Sequence, residues 1–69
     1  MAFAENMRCL REQNKLSQTE LAERVGVTQA AIARIESGRI VPNVVTAVKI
    51  ARKLDTTVEE LVNGQDTNV

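Results

Sequence analysis

The sequence predicts an all-α domain, and three observations lead to that expectation. Four segments with helical spacing of apolar residues each follow directly after an N-cap residue: Ser17, Thr28, Asn43 and Thr57. Apolar residues make up 43% of the chain, but only one residue, Phe3, is aromatic, which favours a core of Leu, Ile, Val and Ala. One Pro and three Gly in 69 residues leave long stretches free for helices.

The first helix is predicted from a stripe of residues spaced at i, i+4, i+7 and i+11. Its members are Phe3, Met7, Leu10 and Asn14. The other faces of this segment carry charged and amide side chains, so we expect the stripe to point inward. Cys9 lies roughly opposite the stripe and is interpreted as inert.

A second helix is predicted to begin directly after Ser17. Glu20 follows three residues later as the partner of a capping box, and Leu16 and Leu21 flank the start as a hydrophobic staple. The inward face is expected to consist of Leu21, Ala22 and Val25. Gly26 should end this helix, because glycine adopts a left-handed conformation without steric cost.

A third helix, at about Gln29–Ser37, follows after a very tight turn. Thr28 is its predicted N-cap, and Val27 can staple Ile32. The buried side is expected to be Ala31, Ile32 and Ile35. Gly38 should end the helix.

Two further helices complete the predicted fold. Asn43 should cap a fourth helix whose inward residues are Ala47, Ile50, Ala51 and Leu54. Thr57 and Glu60 form a second capping-box pattern, which opens a short fifth helix ending at Asn63 and Gly64. Val58 and Leu61 are expected to point inward, with Val62 as a third candidate. We therefore expect one domain over residues 1–64 and a flexible, polar tail over 65–69.

Composition argues against several classes of protein. The chain has no histidine and a single cysteine, so we expect no internal disulfide, no metal site and no cofactor. No nucleophile paired with a base is visible, which argues against an enzyme. The absence of a signal-like apolar run or an 18-residue apolar stretch predicts a soluble, cytoplasmic protein without a membrane partner.

The charge balance gives no support for binding to a polyanion. Nine Lys and Arg balance nine Asp and Glu, so a nucleic-acid function must depend on where the charges lie. Single-stranded nucleic acid is a poor candidate, because its binding uses aromatic stacking platforms that this chain does not have.

The residues from about Met7 to Gly64 resemble the lambda-repressor-like, Cro-type family of helix-turn-helix regulators. The matching segments are Leu16-Ser17-Gln18-Thr19-Glu20-Leu21-Ala22, Gly26-Val27-Thr28-Gln29, Ile32-Ala33-Arg34-Ile35-Glu36-Ser37-Gly38-Arg39, Pro42-Asn43 and Ile50-Ala51-Arg52-Lys53-Leu54. The resemblance implies a compact five-helix domain in which helices 2 and 3 form the helix-turn-helix. It also implies that helix 3 enters the major groove while helix 2 crosses the phosphate backbone.

The same resemblance implies roles for individual residues. Residues placed to contact bases are Gln29, Ala30, Ala33 and Arg34, since glutamine suits adenine, arginine suits guanine and alanine permits close approach. Residues placed to contact phosphate are Gln18, Thr28, Ser37, Arg39 and Asn43. For Gln29 and Arg34 the alternative is a solvated helix face. Gln18 could instead merely follow the N-cap, and Thr28 could cap the third helix, contact phosphate or do both. Arg11 and Glu36 are implied to form a structural salt bridge. Lys49, Arg52 and Lys53 are interpreted as a solvated basic face.

The predicted function is a sequence-specific regulator of transcription that binds double-stranded DNA and acts as a repressor. A neutral monomer with few phosphate contacts should bind weakly, which favours a homodimer on a pseudo-palindromic operator. Val58, Leu61 and Val62 are candidate dimer residues, although Leu61 fits the core equally well. No small-molecule ligand is evident. The alternative is a protein-interaction module that keeps the fold without binding DNA.

Overall fold

The computed structural model describes residues 3–63, which form five helices. They are α1 (Phe3–Gln13), α2 (Gln18–Val25), α3 (Gln29–Glu36), α4 (Val44–Lys53) and α5 (Val58–Asn63). Residues 3–63 contain no strand, so the all-α prediction is confirmed. None of the helices found there is long and apolar enough to cross a bilayer. The predicted stop at Gly64 and the predicted tail lie outside the described residues.

Each helix contributes one completely buried side chain to a single core. These residues are Met7, Leu21, Ile32, Ile50 and Leu61. Burying a side chain of this size contributes about 1.5–3 kcal/mol relative to leaving it in water. α2 packs against α3 and α4, while α1 packs against α3 and α5. The position of α3 therefore depends on a core to which all five helices contribute.

Hydrogen bonds at the helix starts confirm three of the predicted caps. The Ser17 hydroxyl accepts from the backbone N–H of Glu20 at 3.0 Å, and the Glu20 carboxylate accepts from the Ser17 N–H at 2.8 Å. Thr28 and Asn43 cap α3 and α4 with side-chain oxygens at 3.1 and 2.8 Å from a backbone nitrogen. Each cap contributes about 0.5–2 kcal/mol, so the starts of α2, α3 and α4 are well defined.

The capping box predicted for α5 is only half formed. Thr57 accepts a hydrogen bond from the Glu60 N–H at 3.1 Å, as expected. The Glu60 carboxylate, however, accepts from the hydroxyl of Thr56 at 2.6 Å. A competing hydroxyl donor one residue earlier thus replaces the reciprocal backbone bond.

The inward stripe predicted for α1 is correct over three of its four members. Met7 is buried, and Phe3 and Leu10 pack against the core while partly exposed. Asn14 is exposed because α1 ends before it, and its amide donates to the Leu10 carbonyl at 2.8 Å. Arg11, a polar residue, is buried instead.

Two connections place a residue other than glycine at positive φ. Lys15 follows α1 with φ 59°, and Asp55 follows α4 with φ 60°. This left-handed conformation costs an L-residue roughly 1–2 kcal/mol relative to glycine. Neither position was predicted from the sequence.

We expect Lys15→Gly to stabilise the protein by about 0.5–1 kcal/mol, because relief of the left-handed strain exceeds the added flexibility of the unfolded chain. Thermal denaturation measures this change. Lys49→Gly is the matched control, since an exposed glycine inside α4 should destabilise by about 0.5–1 kcal/mol. A lower melting temperature for both variants would contradict the expectation.

Candidate nucleic-acid interface

A three-residue turn fixes the orientation of α3 against α2. Gly26 ends α2 with φ 90°, and its N–H donates to the Ala22 carbonyl at 2.8 Å. Val27 also donates to that carbonyl, at 3.0 Å. Ala22 itself is buried, so α3 packs closely against α2 at this point. The tight turn predicted around Gly26 is confirmed.

α3 has a buried face and an outward face. Ile32 and Ile35 lie in the core, as predicted. Ala31, predicted inward, and Ala33, predicted outward, are both half-buried because they lie at the borders between the two faces. The exposed residues of α3 and its C-cap are Gln29, Ala30, Arg34 and Ser37. This outward face combines two long polar side chains with a small residue between them.

Arg11 and Glu36 form a buried, two-pronged ion pair between α1 and the end of α3. The Arg11 Nε lies 2.6 Å from one carboxylate oxygen and Nη2 lies 3.1 Å from the other. Nη1 donates to the Leu16 carbonyl at 2.7 Å, which ties the α1–α2 connection to the pair. Only 3% of the Glu36 side chain is exposed.

The hydrogen bond to Glu36 raises the pKa of the Arg11 guanidinium above its ordinary value, against an opposing effect of burial. A raised pKa in the folded state means that the stabilising contribution of Arg11 is fully present below its ordinary pKa. That contribution is lost only as the pH rises through the raised value, so Arg11 stays charged at any physiological pH.

Two glutamines extend this pair to the outward face of α3. The Gln18 amide nitrogen donates to the Glu36 carboxylate at 3.1 Å, and the Gln29 amide nitrogen donates to the Gln18 amide oxygen at 2.7 Å. Gln18 and Gln29 are the first residues of α2 and α3. Contact between them was not predicted from the sequence, although both directly follow an N-cap, which places them at neighbouring helix starts.

The predicted phosphate-contacting residues all lie at helix ends. They are Gln18, Thr28 and Asn43 at the starts of helices, and Ser37 and Arg39 after the end of α3. The Ser37 hydroxyl donates to the Arg34 carbonyl at 3.0 Å. The Asn43 oxygen serves as a cap, which leaves its amide nitrogen as the donor for an outside ligand. Arg39 is exposed.

The charges on α3 are unequally exposed. Arg34 and Glu36 are the charged residues of this helix, and only Arg34 is exposed. Because Glu36 is enclosed and neutralised by Arg11, its repulsion of an anion is weak. The outward face of α3 and the following Arg39 are therefore locally positive, even though the chain as a whole is neutral.

An exposed apolar area lies after α3. We call Val41, Val44 and Val45, which are 89, 77 and 63% exposed, the valine surface. A groove of about 390 Å³ adjoins it, with Ile40, Val41 and Val62 among its lining residues. This surface was not predicted, although two of its valines fall outside the inward spacing of α4 and so carried a signal.

The three dimer residues predicted on α5 differ in exposure. Leu61 is completely buried, so it belongs to the core and not to a dimer interface. A second chain cannot contact its side chain. Val58 is half-buried against the core. Val62 is 49% exposed, which corrects its tentative assignment to the core and keeps it available for contact.

Residues 3–63 contain no group of three or more His, Cys, Asp or Glu residues that could hold a metal ion. Cys9 is exposed as a free thiol and lies 3.6 Å from the Gln13 amide nitrogen.

A family model described as Helix-turn-helix matches residues 7–61 of the chain. The chain belongs to this family. Among curated relatives, the uncharacterised regulator YqaE of Bacillus subtilis is 33% identical over 91% of this chain and 54% of its own length. The transcriptional repressor RghR of the same organism is 44% identical over 88% of this chain and 46% of its own length. The chain thus spans about half the length of these two relatives.

Solved structures share the helix-turn-helix fold. The P22 c2 repressor bound to a synthetic operator matches with a TM-score of 0.89 and 26% identity, over 94% of this chain and 98% of that one. Hydroxypropylphosphonic acid epoxidase from S. wedmorenis matches with a TM-score of 0.80 and 31% identity, over 87% of this chain but only 32% of the enzyme. The fold of this helix-turn-helix family therefore occurs both in a repressor bound to an operator and as part of an enzyme.

Proposed function

We propose that the protein is a sequence-specific, double-stranded DNA-binding regulator of transcription that acts as a repressor. The single observation that carries the proposal is the outward face of α3. It presents Gln29 and Arg34 to solvent on either side of small residues, while the acidic Glu36 of the same helix is buried and neutralised. Packing in the core requires none of these exposed side chains.

The chemistry of the outward face suits the edges of bases in the major groove. Arg34 can donate two hydrogen bonds to O6 and N7 of guanine, and Gln29 can bond N6 and N7 of adenine. Ala30 and Ala33 add little bulk, which permits close approach and contact with a thymine methyl group. Each bidentate pair discriminates between bases by about 1–3 kcal/mol.

The helix ends around this face suit the phosphate backbone. The N-termini of α2 and α4 present free N–H groups near Gln18 and Asn43, and such groups favour an anion. Arg39 supplies an exposed positive charge after α3, and the Thr28 hydroxyl is a further donor. The Ser37 hydroxyl donates to the Arg34 carbonyl and can contact phosphate once it turns away from that carbonyl. Contacts of this kind orient a protein on DNA without reading its sequence.

We propose a homodimer that binds a pseudo-palindromic operator, with a second copy of the chain seated on the valine surface and Val62. Half-sites one helical turn apart require each chain to reach about 17 Å from its recognition helix to the twofold axis. The domain measures 34 × 23 × 19 Å, which makes this reach possible. Val41 lies two residues after Arg39, and Val44 directly follows Asn43. A second copy on the valine surface therefore lies close to the proposed DNA contacts.

Selection from a randomised pool of DNA duplexes tests the proposal. We expect wild type to enrich a twofold-symmetric site bound by two chains, with affinity that falls as salt rises. Arg34→Ala should lower affinity for that site about 5- to 150-fold and relax the preference at one base pair of each half-site. Arg52→Ala, an exposed arginine on α4, is the matched control and should keep the preference.

A protein-interaction module is the second candidate function. The match to about a third of an epoxidase chain favours it, because the fold there forms part of a protein named as an enzyme and not as a DNA-binding regulator. Failure of wild type to enrich any site, with only feeble binding at low salt, would support this candidate against the regulator. An enriched site with Arg34→Ala and Arg52→Ala behaving alike would keep DNA binding but remove Arg34 from base contact.

A further inference from the structure

We propose that Glu36, which is buried, sets which base Gln29 prefers by fixing the orientation of the Gln18 amide between them. We call Glu36, Gln18 and Gln29 the amide relay. The inference rests on the proposed function, because it concerns how the outward face of α3 distinguishes bases. It makes Glu36 a positioning residue for specificity in addition to its role in the ion pair.

Glu36 offers only hydrogen-bond acceptors to the side chains around it. Both oxygens of Glu36 accept hydrogen bonds from Arg11, at 2.6 and 3.1 Å, so this carboxylate offers Gln18 an acceptor. One of its oxygens lies 3.1 Å from the Gln18 side chain. Gln18 must therefore turn its amide nitrogen, the donor end, toward Glu36.

The amide group of Gln18 has a donor end, its nitrogen, and an acceptor end, its oxygen. With its nitrogen bonded to Glu36, Gln18 presents its amide oxygen to Gln29, at 2.7 Å. An oxygen only accepts, so Gln29 must donate one of its two N–H groups to Gln18. The charge of Glu36 thereby determines the orientation of a side chain that it does not touch.

The bond to Gln18 limits the hydrogen-bonding groups that Gln29 can offer to DNA. After donating to Gln18, it presents one free N–H and its amide oxygen, a donor beside an acceptor. Adenine offers the complementary pair in the major groove, N7 as acceptor and N6 as donor. If Gln18 were reversed, Gln29 would bond it through oxygen and present two N–H groups, which match the two acceptors of guanine, N7 and O6. The orientation of the relay therefore favours adenine over guanine.

Base preference at the position read by Gln29 tests the relay. Gln29→Ala first identifies that base pair in the selected site. It is the base pair at which a change of base lowers the affinity of wild type but no longer lowers the affinity of Gln29→Ala. The ratio of affinities for adenine over guanine at that position is then measured for Glu36→Gln, whose neutral amide can donate as well as accept. It is also measured for Gln18→Met, which interrupts the relay without changing the Arg11–Glu36 pair. Gln13→Met, an exposed glutamine on α1, is the matched control.

We expect both relay variants to lower the adenine-to-guanine ratio about fivefold or more, with preferences at other base pairs retained. Gln18→Met should also weaken binding to all sequences alike, since Gln18 is a proposed phosphate contact. This uniform loss cancels in the adenine-to-guanine ratio, so a lower ratio reports on the relay alone. Gln13→Met should change neither quantity. Unchanged ratios in Gln18→Met and Glu36→Gln would overturn the relay while leaving DNA recognition in place.

The NMR signals of the Gln29 side-chain amide in the DNA-free protein give a second readout. We expect the order parameter of this amide to fall in Gln18→Met and in Glu36→Gln, because the hydrogen bond that holds it is lost or weakened. Equal order parameters in wild type and both variants would overturn the relay. A different outcome is that the Gln29 amide is ordered in wild type but wild type prefers no base. That outcome would refute the proposed function and, with it, the role of Glu36 in specificity.

Discussion

Arg11→Met is expected to lower the free energy of unfolding by about 3–5 kcal/mol, because it leaves the Glu36 carboxylate buried without its partner. The Leu16 carbonyl loses a donor at the same time. A domain of this size is typically stable by roughly 3–10 kcal/mol in total. The substitution therefore removes a large part of the stability and unfolds a substantial fraction of the protein if wild type lies at the low end.

Urea denaturation of wild type and variants measures this loss. Arg8→Met is the matched control, since Arg8 is an exposed arginine on the same helix and should change stability by less than about 0.5 kcal/mol. The double variant Arg11→Met with Glu36→Leu should recover most of the loss, because no unpaired charge remains buried. Equal stability of Arg11→Met and Arg8→Met would show that the ion pair contributes nothing.

Leu61→Ala has the second largest expected effect, a loss of about 2–5 kcal/mol. Leu61 is completely buried between α5 and the rest of the core, so truncation leaves a cavity there. The neighbouring Val62→Ala should cost less than about 0.5 kcal/mol, because Val62 is half exposed. Denaturation at low protein concentration compares the two within one helix.

The same two variants separate a core role from an interface role. If Leu61→Ala proved as stable as Val62→Ala at low concentration, the assignment of Leu61 to the core would be wrong. If the core assignment holds, Leu61→Ala should lose stability by the same amount at every protein concentration. Association between chains would make the loss depend on concentration.

Local signals account for most of the fold that could be predicted from the sequence. Ser17, Thr28 and Asn43 each combine an N-cap with apolar spacing, and those helices begin where predicted. The prediction that Asn14 points inward was wrong because the spacing of a stripe does not reveal where a helix ends. The left-handed Lys15 and Asp55 were missed because glycine is the strongest sequence signal for that conformation, and neither position is a glycine.

Residues of the candidate site were singled out one by one, and of their contacts only the Arg11–Glu36 pair was expected, from the family resemblance. Gln18 and Gln29 were each singled out, yet their hydrogen bond depends on how closely α2 and α3 approach, which propensity and spacing do not specify. The valine surface was missed for a related reason. Val44 and Val45 fall outside the inward spacing of α4 and received no interpretation from the sequence, and only the structure shows that they and Val41 are exposed.

Placement of charge, rather than its total, underlies the proposed recognition of DNA. Nine acidic residues cancel nine basic ones along the chain, but the acidic member of α3 is enclosed by Arg11. A count of charges therefore understates the attraction of the outward face of α3 for an anion. The neutral total still implies that phosphate contacts alone give weak binding, which makes base contacts by two chains important.

The most direct test of the central claim is the ratio of affinities of wild type for the selected duplex and for a shuffled duplex of the same composition, at physiological salt. Specific recognition by two copies of α3 predicts binding to the selected duplex about a thousandfold tighter or more. Equal affinities for the two duplexes would contradict the account, because the outward face of α3 would then attract DNA without reading it.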